Sequence, residues 1–253
     1  MKNFLLAIWV LLLSCLAFQR SFAQGTSPKS VLFVGNSYTY FWNLPQQVAL
    51  LAEAGKVELK TRQSTVGGIN LGTHWRGERG LESRALIASG QFDAVVIQDL
   101  STRPVEDPDS TLHFGRLFGE LIRENGARPY VYLTWARAYN PLMQEKLTQT
   151  YTQLAKEIGG TLVPVGPAWE LARALRPDLP LYDPDGSHPS ALGTYLTACV
   201  FYGVLTGKSP VGLPNRLLTQ DKDGEKLYLN ISSPEDALFL QQIAEKTILK
   251  FDQ

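Results

Sequence analysis

Cysteine is scarce in this chain, which holds Cys15 and Cys199 and no others. Histidine is nearly as rare, at three scattered positions. Neither residue falls in a metal-ligand spacing, so a zinc site and a cysteine nucleophile both lack support. Charge of one sign is lacking too: the formal net charge is zero and no basic or acidic run stands out. That argues against nucleic acid or an anionic membrane as the main partner, since both select a positive patch. Internal repeats and low-complexity tracts are absent, and 253 residues suit one globular domain with a processed end.

Long apolar runs are missing except at the start. Lys2 precedes an apolar stretch over residues 4–18, and Ser21-Phe-Ala23 gives a small-x-small cleavage site before Gln24. The run is short for a membrane span and ends at Gln19-Arg20. Residues 1–23 read as a signal peptide, leaving 24–253 as one exported domain, periplasmic or extracellular. In an alternative, Leu12-Leu-Ser-Cys15 is a lipoprotein signal that would anchor the chain through Cys15, although the apolar residues after it disfavour this. Without Cys15 no intramolecular disulfide can form, and Cys199, inside an apolar helical stretch, reads as a core thiol.

What is present centres on Val31-Leu-Phe-Val-Gly-Asn-Ser-Tyr-Thr39, an apolar strand running into glycine, asparagine and serine with a helix behind. Ligands of open α/β sheets sit at the carboxyl ends of strands, which makes Ser37 a candidate nucleophile; a helix cap is the plainer use of such a serine. Strand-like segments recur at 57–66, 92–98, 129–134 and 161–165, the last marked as an edge by Pro164. Helical spacing falls between and after them, at 44–55, 111–125, 141–158, 168–175, 189–206 and 234–250. This alternation predicts right-handed βαβ units, a mostly parallel sheet with helices on both faces.

The first three strands end on groups suited to holding an oxyanion. Ser37 and Gly68 offer backbone N–H groups, and Gln98 offers a side-chain amide. A base must come from a histidine. His74 reads as a partly exposed structural residue and His113 as helix packing. His188 lies in the loop Leu181-Tyr-Asp-Pro-Asp-Gly-Ser-His-Pro-Ser190, with Asp185 three residues ahead, close enough for a turn to set a carboxylate on the ring.

Gly35-Asn-Ser37, Gly68, the amide at 98 and Asp185-x-x-His188 resemble, in order and strand position, the SGNH (GDSL-like) hydrolases. The resemblance implies a flavodoxin-like three-layer αβα sandwich around a five-stranded sheet, and ester hydrolysis without metal or cofactor. It implies Ser37 as nucleophile, His188 as base, Asp185 as its orienter, and an oxyanion hole of Ser37, Gly68 and Gln98. Two positions depart from the family: Asn36 replaces the usual aspartate, and Gln98 replaces the usual asparagine. The chain resembles a bacterial subgroup that shares this glutamine, the Gly67-Gly68 pair and the Asp185-Gly-Ser-His-Pro189 loop. Trp75, Arg103, Trp135 and Arg137 follow strands on the side where a site should open, and with Asn36 they are candidates for holding a sugar. The expected substrate is a small-molecule or polysaccharide ester, above all an acetyl ester. Alternatives are a non-catalytic carbohydrate-binding protein, or a lipase or thioesterase for short acyl chains.

Overall fold

The structure, a computed structural model, describes residues 27–251; the expected leader and Cys15 lie outside the described residues. Five parallel strands form the central sheet: β1 (Ser30–Gly35), β2 (Lys60–Thr65), β3 (Ala94–Ile97), β4 (Arg128–Leu133) and β5 (Thr161–Pro164). Their order is β2-β1-β3-β4-β5. The chain therefore starts inside the sheet and reverses its direction of growth after β2, leaving a crevice between the carboxyl ends of β1 and β3. Pro164, which has no N–H to give, stands on the edge strand β5.

The helices are α1 (Ser37–Tyr40), α2 (Leu44–Ala54), α3 (Leu71–Arg76), α4 (Ser83–Ala88), α5 (Arg103–Glu106), α6 (Pro108–Glu124), α7 (Met143–Glu157), α8 (Val165–Leu175), α9 (Ala191–Thr206) and α10 (Pro234–Phe251). They form two layers, and β1 shows why. Val31 and Phe33 join one apolar cluster, with α2, α8, α9 and α10. Leu32 and Val34 join the other, with α3, α4, α6 and α7. A strand covered on both faces needs an unbroken apolar run, which is what the sequence supplies. Helix α9 is buried on nearly every side, so it shows no polar face. Cys199 within it is free and buried, and burial pushes its thiol well up, leaving it inert.

One element was not anticipated from the sequence. An antiparallel hairpin of β6 (Arg216–Gln220) and β7 (Lys226–Ile231) lies outside the main sheet and is pinned by the buried Leu217 and Leu229. Most of its apolar residues, Leu218, Leu227, Tyr228 and Ile231, stay exposed. Its legible sign was the Asp223-Gly224 turn, where Gly224 takes a φ of 84°.

The loop before α9 is held by a close approach. A Cβ on Gly193 would stand 2.1 Å from the Leu181 carbonyl oxygen and 2.7 Å from the Trp169 ring. Backbone on one side and a buried indole on the other leave it nowhere to go. Gly193→Ala should lower stability by about 1–3 kcal/mol in urea unfolding, although alanine suits a helix interior better than glycine.

Candidate active site

The nucleophile turn is built from backbone contacts that one buried side chain collects. Asn36 caps α1, its Oδ1 accepting from the Tyr38 N–H at 3.1 Å. Its Nδ2 donates to the Ile69 carbonyl at 2.9 Å and to the Asp99 carbonyl at 3.2 Å. The chain ends of β1, β2 and β3 are thus tied at one amide. Asn36 is 1% exposed and its amide is fully engaged, so it braces the turn where it lines the pocket described below.

Gln98 is corrected in the same way. Its Oε1 accepts from the Asn36 N–H at 3.1 Å and from the Thr39 hydroxyl at 3.0 Å, while its Nε2 donates to the Asp99 carbonyl. The amide is buried under the turn and does not line the pocket. One methylene more than asparagine lets it fold beneath Gly35 instead of reaching past it. Asp99 is buried beside it, accepting from the Leu71 and Leu100 N–H groups and the Thr111 hydroxyl; burial raises its carboxyl above the ordinary value.

The loop carrying His188 reaches this turn from the far end of the sheet. Asp185 Oδ1 accepts from the N–H groups of Ser187 and His188 at 2.8 and 2.9 Å, which makes it a turn cap. Its Oδ2 lies 2.5 Å from His188 Nδ1. Partial burial works to raise the Asp185 carboxyl, but these hydrogen bonds bring it below its ordinary value, so it is a carboxylate. A carboxylate only accepts, so Nδ1 carries the hydrogen and Nε2 is left to accept from Ser37 Oγ, 2.8 Å away. The imidazole stacks on Phe41 with centroids 4.3 Å apart and meets the edge of Tyr38 at 5.7 Å. Ser37, His188 and Asp185 form one hydrogen-bonded chain.

A pocket of about 480 Å³ opens over Ser37 and His188. Gly67 and Gly68 line one side of it; Leu100, Ser101 and Arg137 line the other. Gly68 has φ of 70° with open space where a Cβ would stand, so backbone conformation alone selects glycine there. The N–H groups of Ser37 and Gly68 enter none of the turn and cap hydrogen bonds of the described residues. Two other clefts, of about 510 Å³ beside α2 and about 700 Å³ between α8 and α10, have no serine, cysteine or histidine in their walls.

Of the proposed sugar contacts, Asn36 and Arg137 line the pocket, and the other three do not. Trp135 is buried in a stack between Tyr38 and Trp169, at 4.6 and 3.9 Å, and its indole N–H holds the Ser187 carbonyl. Trp75 packs edge-on against Phe118 in the opposite apolar layer, and Arg103 pairs with Asp107 at 3.1 Å. Tyr38, Tyr40, Phe41, Ser101 and Ser187, which the sequence did not single out, also stand on the pocket wall. The Tyr-Thr-Tyr-Phe run directly after Ser37 was the available sign.

His74 is not partly exposed: it is 1% exposed directly under the nucleophile turn. Its Nε2–H donates to the Gly35 carbonyl at 2.9 Å, leaving Nδ1 to accept from the Ser83 hydroxyl at 2.6 Å. Burial lowers its pKa to about 4, with the Gly35 contact opposing. His113 is exposed, its ring edge on Phe114. Because the unfolded His74 binds its proton near pH 6.5 and the folded one near 4, stability should fall as pH drops through that window, by roughly 3 kcal/mol at most. Urea midpoints at pH 7 and 4.5 should show this loss in the wild type and a flatter response in His74→Gln. Equal slopes would remove His74 as the source.

In sequence, the chain matches no protein-family model and no curated protein. Solved structures are similar in fold. A DUF4886 family protein from Bacteroides uniformis superposes with a TM-score of 0.72 at 20% identity, over 88% of this chain and 96% of that one. A protein of Slackia heliotrinireducens assigned to the SGNH hydrolases gives 0.61 at 26% identity, over 72% of this chain and all of its own. A variant of Axe2, an acetyl-xylooligosaccharide esterase from Geobacillus, gives 0.56 at 16% identity, over 72% and 96%. The strand order and these likenesses put the chain in the fold superfamily of the SGNH (GDSL-like) hydrolases.

Proposed function

We propose that the protein is a serine ester hydrolase that cleaves carboxylic, chiefly acetyl, esters on a carbohydrate or glycoconjugate outside the cytoplasm. The observation that carries this is the hydrogen-bonded chain Ser37–His188–Asp185 at the mouth of a pocket on the carboxyl edge of the sheet. Ser37 Oγ attacks the ester carbonyl carbon while His188 Nε2 takes its proton, and Asp185 stabilises the imidazolium so formed. The oxyanion is held between the Ser37 and Gly68 N–H groups. Collapse expels the alcohol, which takes the proton from His188 and leaves an acyl-enzyme. Water, deprotonated by the same His188, then releases the acid and restores Ser37.

The acetyl and carbohydrate assignments have separate support. The pocket is modest, walled by small residues on the Gly67–Gly68 side, and Tyr40 and Phe41 offer aromatic surface at its rim. Two of the similar structures, Axe2 among them, are described as acetyl-xylan or acetyl-xylooligosaccharide esterases. The leader expected over residues 1–23 supports export.

Ser37→Ala should reduce hydrolysis of 4-nitrophenyl acetate by roughly a thousandfold or more with unchanged unfolding behaviour. Equal rates in the two proteins would sink the assignment and leave a non-catalytic binding protein. Gln98 now has a different expectation. Gln98 is a buried brace, so Gln98→Ala strands the Asn36 N–H and the Thr39 hydroxyl and should lower stability by about 1–3 kcal/mol together with turnover. A large rate loss at unchanged stability would instead make its amide a direct oxyanion donor.

A further inference from the structure

The pocket carries one charge that the chemistry above does not use. Among its lining residues Arg137 alone has a permanent charge; Asp185 stands behind the His188 ring and outside the wall. Arg137 Nη1 donates to the Tyr139 hydroxyl at 2.8 Å and Nη2 to the Ser101 hydroxyl at 3.2 Å. Tyr38 also faces it. All three partners are neutral. Elsewhere the ordinary use of arginine here is an ion pair, as in Arg103–Asp107, Arg116–Glu157 and Arg176–Asp236. Among the described residues no carboxylate pairs with Arg137.

A half-buried guanidinium held by hydroxyls keeps its charge and has its position fixed, but its charge is not compensated. A structural cross-link between two loops would be served as well by a neutral amide. A fixed cation at the wall of a binding pocket is a receptor for an anion, and the guanidinium fork matches a carboxylate in shape. Its place in the pocket is also informative. Arg137 follows β4, whereas Gly68 follows β2, on the other side of β1 in the sheet order. From Arg137 the hydroxyls of Tyr38 and Ser187, 2.7 Å apart, lead towards His188. His188 is the group that protonates the leaving alcohol, so Arg137 flanks the alcohol half of the ester.

We infer that the protein selects esters whose alcohol half carries a carboxylate, such as an acetylated uronoside, and that Arg137 binds that carboxylate. This rests on the ester-hydrolase assignment and narrows it to acidic substrates. Arg137 then contributes through preference among esters, and binding weakens as salt screens the pair.

The test compares acetate release from an acetylated methyl glucuronoside and from its C6 carboxamide, which differ in charge but hardly in shape. Wild type should favour the acid in kcat/KM by roughly tenfold or more, and the preference should shrink in high salt. Arg137→Gln should bring the ratio close to one, and Arg137→Lys should keep part of it. Ser37-dependent hydrolysis of both esters at equal rates would overturn the inference while leaving the hydrolase assignment standing. So would an Arg137→Gln that slows both esters equally, which is the mark of a loop brace. A preference for 4-nitrophenyl hemisuccinate over the butyrate, with none between the sugar esters, would move the anion to the acyl half and overturn the assignment made here. Activity on no ester, in wild type as in Ser37→Ala, would remove both.

Discussion

Three loops leave neighbouring strand ends, and the Asn36 amide is what keeps them in one arrangement. Its Nδ2 bridges the Ile69 and Asp99 carbonyls while its Oδ1 caps the helix that begins at Ser37. The group is buried, so each contact is made in low dielectric, and losing any one would leave a carbonyl or N–H unpaired away from water. An aspartate there would present oxygen to two carbonyl oxygens. The amide at 36 and the long amide at 98 therefore belong together: Gln98 accepts from the Asn36 N–H and holds the turn from beneath. Both departures from the family pattern are one local solution for fixing the turn.

The two histidines near that turn show how surroundings divide a shared chemistry. His74 is enclosed, gives its Nε2–H to the Gly35 carbonyl and is kept neutral by burial, so it acts as a strut. His188 lies on an irregular loop with a carboxylate behind one nitrogen and a hydroxyl before the other. The proton positions follow from the partners: a carbonyl and a carboxylate can only accept, which fixes which nitrogen donates in each ring. A histidine that must take and return a proton needs the second arrangement. One that must stay put needs the first.

Much of the fold could be read because a doubly covered parallel sheet writes a strong signal. β1, β3 and β4 are apolar runs between glycine- or asparagine-stopped helices, and Pro164 marked an edge. The hairpin of β6 and β7 was not read: Leu227, Leu229 and Ile231 alternate, but of the three only Leu229 is buried, and β6 offers just Leu217-Leu218. At the site, short-range pairs were legible: Asp185 and His188 are three residues apart, and the turn that caps the loop is the turn that aims the ring. Side-chain direction was not. Gln98 and Trp135 stand just after strand ends and Trp75 on the helix that follows one, but such a position places a Cα and leaves the side chain free to fold inward. Burial settled each of them. Indoles were drawn into the core, and an amide was drawn to unpaired backbone groups.

The loop bearing His188 has little regular structure, so its rigidity must come from elsewhere. Two indoles supply part of it, Trp135 donating to the Ser187 carbonyl and Trp42 to the Pro189 carbonyl, one on each side of the histidine. Trp135 is itself fixed in a stack that reaches Trp169 and the apolar layer beneath. Phe41 and Tyr38 then confine the ring, one by its face and one by its edge. Trp135, expected from the sequence to hold a sugar, thus joins Trp42, Tyr38 and Phe41 in bracing the His188 loop. They hold the most irregular segment of the site to the most rigid part of the core.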